Sequence, residues 1–583
     1  MERRVLLAIF LSFLVLSVYQ TLVVKPAPKR PAPVAANTPA ESSPPATPVS
    51  TAQSPPTPAA NPPAEREPGV TPLVSETSDR DVRIETNEVI GVFTNRGARL
   101  KSWRLKKFKD AKGQPQELIE SGLALPGPAG TLELQPLPFT LKTPDAAISA
   151  RLNDARYAAT AEASSPYDLR FEYRDSSGIE ALKQFHLDAG SYILTVRTVV
   201  RRSGEPVPVT ILWGPGLADT VEVSRYSQKP GGLLFQNGKA ERLAPKDIAK
   251  QGVYEGDFGF AGVDDNYFMS VALSVSGVRV AFQPVAIPPA PPSKDPPREL
   301  MAYSIEPGPA ADPLKFFIGP KDFGVLTAVN RDLQNAINFG MFKVIVVPLL
   351  QSLKWVNAFV GNYGWSIVVL TILINAIMFP LRHKSTVSMR KMQEIQPEVK
   401  AIQDRYAKLK ATDPAKQKMN QELMALYRDR GVNPASGCVP MLLTMPVLLA
   451  MWALLQTSIE LRGAPWFGWI HDLSAHDPYY VLAVLMGATG FWQQRMMPAS
   501  GGADPAQQKM MMFMPLMMTV MLAWLPAGAL IYYVVTNLWM IGQQYLTNYL
   551  IGPPTIRTVR PPAERRLKRA VGGKPEPAGR EAE

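Results

Sequence analysis

Cysteine is almost missing from this chain. Cys438 stands alone among 583 residues, so no intramolecular disulfide can form, even in an oxidising compartment. Histidine is nearly as scarce, and His186, His383, His471 and His476 fall at no metal-ligand spacing, which argues against a zinc site. The apolar half carries no H-E-x-x-H pattern, no nucleophile elbow and no carboxylate pair, so hydrolytic chemistry has no carrier there. The formal net charge of +12 is spread over several segments and comes with no nucleic-acid-binding motif. DNA is therefore not an expected partner, no cofactor is implied, and the chain is not read as an enzyme.

What is present is a polar half joined to a very apolar one, and mean hydropathy near zero hides the contrast. Residues 1 to 24, "MERRVLLAIFLSFLVLSVYQTLVV", are long enough to cross a bilayer core of ~30 Å. With no A-x-A site close behind, they read as an uncleaved signal anchor with Arg3 and Arg4 in the cytoplasm. Residues 25 to 78 are dominated by Pro, Ala, Ser and Thr and read as a disordered linker. From 79 to 320 the pattern changes to period two, as in "DVRIETNEVIGVF" and "SYILTVRTVV", which predicts a large all-β domain, most simply a sandwich.

The apolar half divides by length. Residues 341 to 355 read as an interfacial amphipathic helix, and spans follow at 358 to 380, 438 to 458, 479 to 497, 510 to 525 and 527 to 549. With the anchor this makes six transmembrane helices, both termini on one side. The span at 510 to 525 has only sixteen residues, which suggests local thinning of the bilayer. Between Leu381 and Gly437 lie twelve Lys or Arg against six Asp or Glu, and the tail from 551 to 583 is also basic. Both belong in the cytoplasm by the positive-inside rule, which puts the β domain in the periplasm of an inner-membrane protein.

Residues 385 to 431 form a predicted cytoplasmic helical hairpin. Met389, Met392, Ile395, Val399, Ile402, Tyr406 and Leu409 recur at steps of three and four, making one apolar stripe. Asp413 and Pro414 suit a helix start, Met419, Leu423 and Leu426 continue the second arm, and Gly431 and Pro434 stop it. Two readings stand. The hairpin is either a self-contained coiled coil that spaces two spans, or a mobile paddle whose Met389, Met392 and Met419 meet a nascent chain through adaptable thioether contacts.

The stretches "VGNYGWSIVVLTILINAIMFPL", "MALYRDRGVNPASGCVPMLLTMPVLLAMW", "ELRGAPWFGWIHDLSAHDPYY" and "DPAQQKMMMFMPLMMTVMLAWLPAGALIYYVVTNLW" resemble the YidC family of bacterial membrane protein insertases. The order of anchor, linker and large β domain is similar to its Gram-negative members. The resemblance implies a periplasmic supersandwich like sugar-mutarotase folds, and a membrane core of five spans enclosing a hydrophilic groove open to cytoplasm and lipid. It implies insertion and assisted folding of nascent inner-membrane proteins, alone or with the Sec translocon and its accessory subunits.

Members of the family usually carry a basic residue, thought to attract acidic substrate termini, where this chain has Asn375. Thr371 shares its helix face, while Thr444, Gln456, Tyr533 and Asn537 supply polar groups on other spans. These six are the expected groove lining. Asn375 has a second reading as a helix-to-helix hydrogen bond, and Arg382 and Lys384, past Pro380, read as ordinary topology signals. In the tail, Arg565, Arg566, Lys568 and Arg569 form a basic cluster suited to anionic membrane lipids or to the ribosome. A small-solute transporter, or a sugar-binding module on a membrane anchor, is the alternative reading.

Overall fold

The computed structural model describes residues 71–551 apart from 111, 127–131, 162–164, 218–227, 289–296, 309–312, 407–413, 433–438 and 497–504. The expected anchor, most of the linker, Leu409, Asp413, Pro434, Cys438 and the tail cluster Arg565, Arg566, Lys568 and Arg569 lie outside the described residues.

The β domain begins at Pro72–Val74 (β1), ahead of the expected start at 79, because this strand pairs with residues Arg174 and Asp175. A four-stranded sheet runs through Asp81–Glu85 (β2), Val89–Thr94 (β3), Arg99–Lys109 (β4) and Pro115–Glu117 (β5) in sequence order. The larger sheet has fourteen strands. Among them are Asp168–Asp175 (β6), Ile179–Leu187 (β7), Ile193–Arg202 (β8), Gly231–Gln236 (β9), Lys239–Leu243 (β10), Val253–Asp264 (β11), Phe268–Ile287 (β12), Arg298–Glu306 (β13) and Leu314–Pro320 (β14). Its main path is β1-β6-β7-β8-β14-β12-β11-β9-β10, antiparallel throughout.

Strand alternation builds the core between the two sheets. Phe93 of β3 meets Phe185 of β7 with ring centroids 4.7 Å apart, and the buried Trp103 indole on β4 donates to the Ile318 carbonyl of β14 at 3.0 Å. On β7 the inward positions are Ile179, Ala181, Lys183, Phe185 and Leu187, so period two carries an ammonium group into the core. Lys183 Nζ donates to the carbonyls of Gly97 (2.7 Å), Ala98 (3.1 Å) and Phe139 (2.7 Å). Burial, with nearby Arg99, pushes its pKa well down.

The helical part starts with Phe323–Val329 (α1), capped by the Asp322 side chain. Next come Lys343–Val360 (α2) and Tyr363–Glu394 (α3). They are separated where Gly361, at φ 71°, closes α2 and Asn362 caps α3. Gln396–Arg405 (α4) and Ala415–Asp429 (α5) form the hairpin, and Val439–Thr457 (α6), Val481–Met496 (α7), Pro505–Leu522 (α8) and Ala527–Ile551 (α9) follow. Among the described residues, Gly340–Val360 and Tyr363–Glu394 are long and apolar enough to cross a membrane.

The helix bounds extend the expected segments. Pro380 lies inside α3, whose 32 residues run about 48 Å at 1.5 Å per residue, longer than a bilayer core is thick, so the helix continues beyond a span that ends at 380. The segment read as 341 to 355 extends to Val360. Helix α8 runs from Pro505 to Leu522, and its apolar part is Met512–Leu522.

The β domain is tied to the helices by polar contacts. Asn266 donates to the Gln456 carbonyl at 3.2 Å, and Arg462 donates to Gln116 Oε1 at 2.8 Å while its guanidinium lies 4.9 Å from the Phe268 ring centroid. Lys354 Nζ joins Glu460 (2.6 Å) and Asp322 (3.2 Å).

Candidate functional site

One face of α3 carries buried Ile367, Thr371, Asn375, Arg382 and Ser385, while Val369, Ile372, Leu373 and Ile377 on other faces are exposed and apolar. A helix in lipid shows this pattern when its outer surface meets hydrocarbon and its inner surface meets other helices. The inner face is polar over two turns. Asn375 donates through Nδ2 to the Thr371 carbonyl at 2.8 Å, and Arg382 Nη1 donates to Asn375 Oδ1 at 2.6 Å. Arg382 Nη2 reaches Thr444 Oγ1 on α6 at 3.4 Å. Seven residues are close to two full turns, and helical side chains lean toward the N-terminus. Arg382 therefore folds back along α3 instead of reaching toward its C-terminal end. It is only 7% exposed, its Nε has no hydrogen-bond partner, and no carboxylate of the described residues forms an ion pair with it.

Against the same helix lies α9, where Gln543 and Thr547 are buried. Thr547 Oγ1 is 3.4 Å from His383 Nδ1. Trp539 Nε1 and Gln543 Oε1 are buried without partners, and with Ala376, Phe379, Leu538, Gly542 and Leu546 they line a cleft between α3 and α9. Unpartnered buried polar atoms cost ~1 to 3 kcal/mol each, so their grouping marks a site that can receive polar groups.

The six expected lining residues do not all meet. Thr371, Asn375 and Thr444 gather around Arg382, although the Thr371 hydroxyl bonds back to the Ile367 carbonyl at 2.6 Å. Asn537 instead ties α9 to α7, donating to Thr489 Oγ1 at 3.2 Å and to the Met486 carbonyl at 3.3 Å. Tyr533 is half-buried with its ring 5.6 Å from that of Tyr532. Gln456 sits at the far end of α6, its carbonyl bonded by Asn266 of the β domain. That is twelve residues from Thr444, about 18 Å along the helix. Arg382, Trp539 and Gln543 are the residues that the sequence reading missed. For Arg382 the signal was its seven-residue offset from Asn375.

In the hairpin the apolar stripe packs arm against arm, the first of its two readings. Ile395, Val399 and Val432 form a small buried core with Met392, Leu423, Leu426 and Tyr427 packed against it, so the stripe binds the two arms to each other. Met389 and Met419 are half-buried. The exposed methionine is Met424, at 62%. The helix containing Met389 and Met392 is α3 itself, which ends at Glu394 before α4 begins.

Comparison with known proteins follows the same division of the chain. A family model described as the YidC periplasmic domain matches residues 81–352, and one described as 60Kd inner membrane protein matches residues 355–552. A membrane protein insertase YidC from Syntrophus aciditrophicus (strain SB) is 32% identical over 575 residues, covering 94% of this chain and 99% of that protein. One from Cupriavidus metallidurans is 34% identical over 393 residues, covering 65% of this chain and 68% of its own. A crystal structure of an active YidC insertase with its first transmembrane domain resolved aligns over 82% of this chain and 95% of its own, at 17% identity and a TM-score of 0.34.

Proposed function

The chain belongs to the YidC family of membrane protein insertases, and from that premise we propose that clients pass through the polar seam between α3, α6 and α9. It is an inner-membrane insertase with a β-sandwich periplasmic domain and a helical membrane core. Thr371, Asn375, Thr444 and Arg382 hold polar surface within an otherwise apolar helix packing, and this observation carries the proposal. A client hairpin must bring a short polar segment across hydrocarbon, at ~2.5 to 3.5 kcal/mol for one ionic residue at the centre. A hydrogen-bonding seam lowers that barrier without covalent chemistry, so the protein acts as a carrier and not as an enzyme.

The proposal extends to arrangement and partners. The membrane core spans the bilayer several times with both termini in the cytoplasm, and nascent inner-membrane proteins enter from that side. The hairpin meets them first through the exposed Met424. The Sec translocon and the ribosome are proposed partners, the latter through Arg565, Arg566, Lys568 and Arg569.

The purified protein in lipid vesicles tests this reading. A single-span client added during synthesis should become protected from external protease, while a small solute should not gain entry. Protection no greater than in protein-free vesicles would remove the insertase reading, and solute flux would favour a transporter.

A further inference from the structure

Trp539 sits at the centre of α9, twelve residues from Ala527 and twelve from Ile551, which is about 18 Å from either end at 1.5 Å per residue. Its indole Nε1 is buried and, among the described residues, donates to nothing. One turn further on, Gln543 Oε1 is buried and accepts from nothing. Residues four apart are neighbours on one helix face, and this donor and acceptor line the same cleft of about 520 Å³ between α3 and α9. Phe379, Leu538 and Leu546 wall it, and Ala376 and Gly542 form its floor. A Cβ on Gly542 would meet no atom within 4 Å, so the space beside the two polar groups is open. Leu538 and Leu546 are 53% and 44% exposed on its rim.

Depth selects the occupant. In a membrane-spanning α9, lipid headgroups lie near the helix ends, and the acyl chains at its middle have neither donor nor acceptor. A bridging water would keep its remaining hydrogen bonds facing hydrocarbon. The source left at that depth is a side chain on another transmembrane helix. A carboxamide carries both functions in one planar group, an oxygen that accepts from Trp539 and an NH₂ that donates to Gln543. A carboxylate has no proton for Gln543, and an ammonium has no lone pair for Trp539. Ala376 and Gly542 let an incoming backbone come close, as small residues do at membrane helix contacts. We propose that the α3–α9 cleft is a docking site for client transmembrane helices that carry Asn or Gln near mid-depth, with Trp539 and Gln543 pairing to the client amide. This rests on the insertase reading above and names the class of helix that the cleft retains. Such a helix is costly in lipid until its amide finds a partner, so the cleft holds it before assembly. No charge takes part in the selection.

The experiment uses the full-length protein in vesicles, with a photoreactive side chain in place of Leu546 on the rim. Two single-span clients differ in one central residue, Asn or Leu. Crosslinking of the Asn client should exceed that of the Leu client about tenfold, the scale of two hydrogen bonds of this kind. Gln543→Met and Trp539→Phe should each lower the ratio to about threefold, and the two together to about one. Gly542→Leu fills the open floor and should remove the preference without touching either polar group. Thermal stability of each variant is measured in parallel, and Gly542→Leu decides if the double variant fails to fold. A ratio of one in the parent, or a ratio that survives these variants, would overturn the proposal. So would crosslinks to lipid or to a second copy of this chain in equal yield with either client, since those outcomes give the cleft to acyl chains or to self-association. If the parent leaves both clients open to protease, the insertase reading itself fails, a result distinct from the loss of an Asn preference.

Discussion

Arg382 and Asn375 lie seven residues apart on one helix and meet end to end, guanidinium Nη1 to amide Oδ1 at 2.6 Å. The amide accepts from the arginine while donating to the Thr371 carbonyl, so it links a charged donor to the helix backbone. Asn375→Leu removes both bonds and leaves the buried guanidinium with Thr444. It should lower thermal stability by about 1 to 3 kcal/mol. Asn375→Arg alone places two guanidiniums on the same buried face and should cost more, several kcal/mol. Denaturation of the purified variants in detergent checks the order.

Asp264 closes β11 as a fully buried carboxylate between Lys321 (2.9 Å) and Arg242. Burial alone would raise its pKa, but Lys321 and Arg242 outweigh this and hold it below its ordinary 3.8. A carboxyl whose folded pKa is depressed adds stability above the unfolded pKa, and this is lost as pH falls through the folded value. Asp264→Asn leaves Lys321, which burial already pushes down to about 8, beside Arg242 without the carboxylate that bridges them. The loss should be about 3 to 5 kcal/mol near neutral pH. The gap between variant and parent should close at acid pH, followed by near-UV circular dichroism.

Lys183 donates to three backbone carbonyls in the core. Lys183→Met keeps the length of the side chain and removes all three bonds. Melting of the β domain should fall by about 3 kcal/mol or more, with Phe185→Leu as a control for simple packing loss.

Gly487 on α7 allows α8 to come close, since a Cβ there would lie 2.1 Å from Thr519 Oγ1. Gly487→Ala should destabilise the helix packing by about 1 to 3 kcal/mol. Adding Thr519→Ala should recover part of the loss, and a double-mutant cycle would report positive coupling.

In the hairpin, Met392 packs against the core of the two arms and Met424 is exposed. Met392→Ser should raise the proteolysis rate of the arms. Met424→Ser should leave proteolysis unchanged and reduce crosslinking from this position to a nascent client. Equal client crosslinking by both variants would remove the hairpin from the client path.

The limits of the sequence show most clearly on α3. Its apolar length announced a membrane helix, and Thr371, Asn375, Arg382 and Ser385 already lay on one face by their spacing. The expected span ends at 380, but a proline removes one donor and need not end a helix held by neighbours on both sides. Arg382, past Pro380, reads from the sequence as an ordinary topology signal. Its true placement depends on helix continuity through Pro380 and on Thr444 arriving from α6, 62 residues away.

What the sequence determined by itself was everything carried by period and composition: the β half, the apolar helices, the arms of the hairpin and the lack of a metal-ligand spacing. These are local properties, set by side-chain spacing along 2.0- and 3.6-residue repeats. The tertiary structure alone decided which polar groups meet. It sent Gln456 to the β domain and Asn537 to α7, turned the methionine stripe into the hairpin's own core, and left Arg382 buried on neutral partners. Partner choice depends on which faces pack and on how far each side chain leans along its helix, and neither is encoded within a single repeat.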